Sequence, residues 1–185
     1  MSQEDAVRHA RAMLDALGLT PAVDPELALT PERFVDLLGE LKGVQAAPKL
    51  STFAHEGHAE PVLLCALPFQ SMCVHHLLPF FGTVDVAYVP GERIVGFGSI
   101  GRVIDHFARR PQMQERMVVQ IAALLQEQLE PRGLLVRCRA RQLCMELRGA
   151  KKRGALLSFA SEGVLREGAQ RAEALRAFEA AEIAL

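Results

Sequence analysis

Apolar residues recur with a helical period over residues 3–17. Val7, Ala10, Met13, Leu14 and Leu17 share one face, and Gly18 stops the run. A second helix is expected from Thr30-Pro31-Glu32, with a hydroxyl cap, Pro at the first helical position and an acid in the first turn. Phe34, Leu37, Leu38 and Leu41 supply its apolar face, and Gly43 closes it. Residues 44–60 read as irregular and polar. Pro61 to Phe69 reads as a strand covered on both faces. Over Phe80 to Val89, Val84, Val86 and Tyr88 alternate with Asp85 and Ala87, the period of a second strand. Pro90-Gly91 turns the chain, and Ile94 to Phe97 continues extended. Two helices follow, over 99–109 and 112–129, broken at Pro111. Leu134 to Leu147 reads as a long strand in which Arg137, Arg139 and Arg141 alternate with apolar positions, so one face meets water or a partner. Ala155 to Val164 is a last strand, and residues 167–184 a helix or a frayed tail.

This order, with a helical pair inserted between two pairs of strands, predicts an α+β fold: a four-stranded antiparallel sheet with two helices on one face. Residues 1–60 are expected to form an N-terminal helical extension and residues 61–185 the main domain. Such a sheet leaves two open edges, which closing several copies into a ring would remove.

Composition narrows the function classes. The chain has 185 residues, half of them hydrophobic, enough for one core without staples. A net charge of −1 carries no basic field, and one Tyr, no Trp and nine Phe offer no base-stacking platform, so no nucleic-acid partner is expected. No apolar run reaches the ~20 residues of a membrane span. The acidic start Met1-Ser2-Gln3-Glu4-Asp5 has no signal-peptide core, and the expected location is cytoplasmic. In that setting Cys65, Cys73, Cys138 and Cys144 are reduced thiols or metal ligands. Cys65 and Cys138 read as core residues, and His9, His55, His58 and His106 as surface ones.

The chemistry concentrates in Ser71-Met72-Cys73-Val74-His75-His76, answered far downstream by Cys144. A thiolate and an imidazole in C-x-x-H spacing can grip one cation. A distant second thiolate completes three protein ligands and leaves a fourth position open to water, the plan of a hydrolytic rather than a structural zinc site.

Three segments together carry a resemblance to the GTP cyclohydrolase I family. They are Ser71-Met72-Cys73-x-His75-His76-Leu77-Leu78-Pro79-Phe80-Phe81-Gly82, Phe107-Ala108-Arg109-Arg110-x-Gln112-x-Gln114-Glu115-Arg116, and Leu143-Cys144-Met145-x-x-Arg148-Gly149. The similarity runs from about Thr30 to about Leu175. It implies the tunnelling fold, in which pentameric rings stack into a homodecamer with active sites between subunits. It also implies Zn2+ held by Cys73, His76 and Cys144, with His75 as the neighbouring catalytic histidine. Glu115, with Gln114, would hold the guanine edge, and Arg102 and Arg148 would meet phosphates. The implied reaction is water attack at C8 of a guanine nucleotide, imidazole ring opening, formate release and closure to dihydroneopterin triphosphate. A carboxylate suits the guanine edge because it accepts from both ring N1–H and the 2-amino group.

The chain departs from that pattern at the chemistry. Gln142 stands where the family has His, two places before the second metal cysteine, and Val74 where it has Glu. Gln cannot shuttle a proton at neutral pH, and losing a positioned acid–base group costs ~10²–10⁴ in rate. Gly98-Ser99 replaces a Ser-Lys pair, and Cys65 a basic residue. Two lost cations weaken triphosphate binding by roughly 3–6 kcal/mol, about 10²–10⁴-fold. The catalytic positions are therefore His75 and Gln142, and Ser99 joins Gln114, Glu115, Arg102 and Arg148 as a substrate position. Two alternatives stay open beside a full cyclohydrolase. One is a divergent enzyme that stalls at the formamide stage or takes a less phosphorylated or 8-oxo guanine compound. The other is a zinc-stabilised ring that binds a purine or pterin without turnover.

Overall fold

Ser2 opens the first helix with a reciprocal cap. Its Oγ accepts from the Asp5 amide at 3.1 Å while the Asp5 carboxylate accepts from the Ser2 amide at 3.0 Å. The computed structural model describes residues 2–43, 46–55, 57 and 60–184, with side chains to residue 181. It resolves into two compact units, Met1–Lys42 and Gly43–Leu185. The division falls before residue 60 because Thr52–Ala54 already pairs into the second unit.

The first unit is α1 (Gln3–Ala16), a 3₁₀ turn (Pro25–Leu29) and α2 (Thr30–Glu40). Gln3 donates to Asp36 at 2.8 Å and Arg11 pairs with Glu32 at 2.7 Å, tying the two helices together. The expected hydroxyl cap at Thr30 is not made. Asp24 caps the preceding turn instead, accepting from the Glu26 amide, and that turn runs directly into α2, so the Thr30 amide already donates to Leu27.

The second unit continues with β1 (Thr52–Ala54), β2 (Val62–Cys73), β3 (Pro79–Val89), β4 (Arg93–Val95), α3 (Phe97–Ala108), β5 (Pro111–Gln112), α4 (Gln114–Leu129), β6 (Gly133–Gln142), α5 (Leu143–Glu146), β7 (Ala155–Gly163) and α6 (Ala169–Ala184). The main sheet has five strands in the order β5-β2-β3-β6-β7, and β1 and β4 form a separate two-stranded sheet. The four expected strands are its antiparallel body. The fifth is Pro111–Gln112, parallel to the end of β2 through Met72↔Pro111 and Cys73↔Gln112. The proline that breaks the helical pair also holds its own backbone extended, and its missing N–H is tolerated at a sheet edge. The segment expected to be irregular over 44–60 contains β1; Val44, Gln45, Glu56, His58 and Ala59 lie outside the described residues.

The inserted helices cover one face of the sheet. Val84, Val86, Tyr88, Leu134, Val136 and Cys138 form a continuous core there with Ile100, Ile104, Met117, Ile121 and Leu125 of α3 and α4. The other face is not left bare, because α6 sets Ala174 and Phe178 against Ala87, Val89 and Leu135. The alternating arginines divide accordingly. Arg137 is buried, its Nε donating to Asp85 at 2.8 Å and its guanidinium lying over the Phe178 ring. Asp85 also accepts from the Ala66 amide at 2.8 Å. Ala66 sits at a break in the β2–β3 register, in the left-handed region at φ 55°. The carboxylate thus anchors a strained bulge and a buried cation together. Arg139 remains exposed. His106, expected on the surface, is 9% exposed in α3.

Candidate active site

β2 delivers Cys73 to the end of the sheet, and the chain reverses at once into β3. The Cys73 amide donates to Leu78 O at 2.9 Å, the Leu77 amide to Cys73 O at 2.8 Å, and the Val74 amide to Gln112 O at 3.0 Å. This tight reversal places Leu77 at φ 51°, outside the comfortable range of a branched side chain. It presents His75 and His76 beside the buried Cys73 thiol, whose Sγ lies 3.9 Å from Nδ1 of each ring.

Cys144 reaches the same place because β6 stops early. The strand expected to run to Leu147 ends at Gln142, paired with Phe80 one residue from the start of β3. Beyond that point β3 offers no further partner, and Leu143–Glu146 coils into a single helical turn, α5. That turn brings the Cys144 thiol to Cys73. The ligand atoms of Cys73, His76 and Cys144 all lie within 4.8 Å of one another. Around one zinc at Zn–S ≈ 2.3 Å and Zn–N ≈ 2.0 Å, tetrahedral ligands stand roughly 3.5–4 Å apart, so this donor set fits the ion after only a small contraction. Burial and the neighbouring Cys73 thiol raise the Cys144 thiol above its ordinary value in the absence of a cation. Arg148 donates a hydrogen bond to His76 Nε2, tying the segment after α5 to the paired histidines.

A cavity of about 350 Å³ opens beside these groups, and Cys73, His75, Cys144, Gln114, Glu115 and Gln142 are among the residues that line it. Glu115 lies in the first turn of α4, where the helix N-terminus favours a negative group. Gln114 is 2% exposed, and its amide is fully engaged. Nε2 donates to Cys138 O at 3.1 Å and Leu156 O at 3.0 Å, and Oε1 accepts from Gln142 Nε2 at 2.8 Å. The two carbonyls can only accept, so the Gln114 amide has one possible orientation. Gln114 therefore knits α4, β6 and β7 together beneath the cavity, while Glu115 beside it remains open.

Gln112 does comparable work two residues earlier, in β5. It is 1% exposed. Its side chain donates to Phe107 O and Gln120 and accepts from the Met113 amide and Arg116. This buried amide holds the α3–α4 junction, a role that nothing in its spacing reveals beyond its place in a glutamine-rich motif. Ser99 is 2% exposed, and its hydroxyl accepts from the Ser51 amide at 3.0 Å and from Arg102 at 2.8 Å. It orients Arg102 on α3 rather than facing an opening. Neither Ser99 nor Arg102 lines the cavity that holds Cys73 and Glu115 within one chain.

The family model for GTP cyclohydrolase I matches residues 6–179. GTP cyclohydrolase 1 of Lactiplantibacillus plantarum is 44% identical over 153 residues, covering 80% of this chain and 80% of its own. The Streptococcus thermophilus protein of that name is 38% identical over 171 residues, 90% of this chain and 91% of its own. That of Bacillus mycoides is 40% identical over 178 residues, 92% and 94%. Among solved structures, the archaeosine synthase QueF-Like in the apo form matches with a TM-score of 0.40 at 14% identity over 64% of this chain and 97% of that one, too slight a likeness to carry an argument. With the match spanning nearly its whole length, the chain belongs to the GTP cyclohydrolase I family.

Proposed function

We propose that this chain is a zinc-dependent hydrolase that opens the imidazole ring of a guanine nucleotide at C8, as a GTP cyclohydrolase I does. The observation that carries the reading is the convergence of Cys73, His76 and Cys144 within 4.8 Å, beside a cavity that Glu115 and His75 also line. Zinc held by those three residues supplies Lewis-acid chemistry that activates water near neutral pH. Glu115 binds the purine by accepting from N1–H and the 2-amino group, which fixes the ring edge and rejects bases without paired donors. His75 moves a proton to the ring nitrogen as the C8–N bond breaks. Arg148 and, from a neighbouring copy, Arg102 meet the phosphates, each a planar fork matched to phosphate oxygens.

The same proposal includes the tunnelling fold and a homodecamer of stacked pentamers in the cytoplasm. Leu156, Leu157 and Phe159 stand exposed along the edge strand β7, an apolar margin that a second copy would cover. Among the described residues no helix is long and apolar enough to cross a membrane.

A second reading rests on Gln142. The side chain at this position lines the cavity but cannot carry a proton at neutral pH, so ring opening outruns the later release of formate. Incubation with GTP, scoring loss of the purine spectrum, formate and pterin fluorescence separately, decides between the two. Ring opening with formate and pterin supports the full reaction, and ring opening alone supports the arrested one. Binding of GTP with no spectral change over hours in zinc-loaded protein overturns both and leaves a binding ring.

A further inference from the structure

The Gln112 side chain uses every hydrogen-bonding site it has. Nε2 donates to Phe107 O at 3.1 Å and to Gln120 Oε1 at 2.9 Å, and Oε1 accepts from the Met113 amide at 3.1 Å and from Arg116 Nε at 2.6 Å. Phe107 O can only accept and the Met113 amide can only donate, so the side-chain amide cannot be flipped. The backbone of Gln112 is engaged as well. It pairs with Cys73 across the parallel β2–β5 contact, and its carbonyl accepts from the Val74 amide at 3.0 Å. One residue therefore touches both halves of the candidate site. Its main chain holds the turn that carries Cys73, His75 and His76. Its side chain holds the start of α4, where Met113 is the N-cap without a side-chain cap bond and Glu115 follows in the first turn. Arg116, next to Glu115, also reaches back to Pro111 O at 3.3 Å. Although Gln112 borders the cavity, it is 1% exposed and offers a ligand no free polar atom.

We infer that Gln112 is a positioning residue that fixes the Glu115 carboxylate relative to the Cys73–His76 turn, and thereby sets which purine edge the cavity accepts. The inference rests on the reading of Glu115 as the group that accepts from N1–H and the 2-amino group. A purine is rigid, so the carboxylate at its pyrimidine edge and the donor set at C8 must keep one separation. Gln114 ties the first turn of α4 to β6 and β7, and Gln112 supplies the tie to β2. Misplacing a bound group by about 1 Å costs on the order of 10²-fold. A carboxylate turned away from the 2-amino group no longer separates guanine from hypoxanthine, which lacks that group.

The test is equilibrium binding of 7-deaza-GTP and 7-deaza-ITP to the purified, zinc-loaded full chain. Carbon at position 7 takes away the amidine character of C8, so both bind without being opened, and they differ only in the 2-amino group. The wild type is expected to prefer the guanine compound about tenfold or more, and Glu115→Ala to lose that preference. Gln112→Met keeps the length and removes the acceptor, and is expected to reduce the preference about threefold or more. Its zinc content is expected to stay at the wild-type level, because the Gln112 main chain still holds the turn. In the Glu115→Ala background the same change is expected to do nothing further to the preference, since Gln112 acts through Glu115. Gln112→Glu keeps the acceptances from Met113 and Arg116 and is expected to restore part of it. Arg116→Leu, an exposed change with little effect on folding, removes one of the same bonds and is expected to lower the preference by a smaller factor. Asp85→Ala, destabilised away from the cavity, is expected to keep the full preference. No preference in the wild type, or one that survives Glu115→Ala, overturns the reading of Glu115 and this inference with it. A preference lost in Glu115→Ala but undiminished in Gln112→Met and Arg116→Leu overturns the inference alone. So does an equal loss in Asp85→Ala, which would assign the effect to general loosening of the fold.

Discussion

Gln142 Nε2 donates to Gln114 Oε1 at 2.8 Å, and this bond decides which way the Gln142 amide faces. Gln114 must turn its own N–H groups to the carbonyls of Cys138 and Leu156, so only its oxygen is left for Gln142. Gln142 then offers the cavity its oxygen and one remaining N–H. Gln142→His places an imidazole that can keep the bond to Gln114 with one nitrogen and exchange a proton through the other. It is expected to raise formate release relative to ring opening, by up to ~10²–10⁴-fold if proton delivery limits the later step. Single-turnover assays of formate and the formamide intermediate read this ratio, and an unchanged ratio points to substrate choice instead.

The scaffold role of Gln114 predicts a loss in stability as well as in rate. Gln114→Leu keeps the volume but leaves the Gln142 donor without its buried partner and removes both bonds to the backbone carbonyls. Each unsatisfied group costs about 1–3 kcal/mol, read as a lower denaturant midpoint. A direct substrate contact would change KM and leave the midpoint in place.

Metal content separates the three-ligand reading from a chance meeting of thiols. The protein is expected to hold about one zinc per chain, with Cys73→Ala and Cys144→Ala losing it. Chelation is expected to lower the melting temperature of the wild type and not that of the variants. A chain that takes up no zinc after reconstitution would remove the proposed chemistry.

Asp85 and Arg137 are 1% and 3% exposed, and the aspartate also holds the Ala66 amide at the β2 bulge. Asp85→Ala leaves a buried guanidinium and an orphaned amide. The expected cost is about 3–5 kcal/mol, measured by chemical denaturation. A change below 1 kcal/mol would mean that water replaces the carboxylate.

His106 supplies the pH dependence. Burial, and then the positive charge of Arg110, hold its imidazole below the ordinary value of 6.5. The Arg110 guanidinium sits 3.1 Å from Nε2, which accepts from it. The unfolded chain therefore binds a proton at a pH where the native one does not. This contribution is fully present above pH 6.5 and is lost as pH falls from there through the depressed native value. His106→Phe is expected to flatten that part of the stability–pH curve, measured as denaturant midpoints across the acid range.

Much of the architecture was legible because local signals agreed. The alternation of Val84, Val86 and Tyr88 set a strand, and the break at Pro111 separated α3 from α4. The end of β6 was not legible. Leu134 to Leu147 carries strand-like residues throughout, and only the register of Phe80 against Gln142 shows that no partner remains beyond that pair. Pro111–Gln112 was equally hidden, since a two-residue strand exists only through the neighbour it pairs with. His106 read as a surface residue because one polar side chain among apolar helix positions looks the same whether its face is packed or exposed.

The sequence by itself determined the family, the residue types that can hold zinc, and the acid placed at the start of a helix. These depend on short motifs whose spacing survives any arrangement of the rest. Only the tertiary structure decided that Cys144 turns back toward Cys73, that Gln114 is consumed by the scaffold while Glu115 is open, and that Gln112 joins the Cys73–His76 turn to the start of α4. Those relations depend on strand register, chain reversal and competition for hydrogen-bond partners. They arise between segments far apart in the chain, where no local pattern records them.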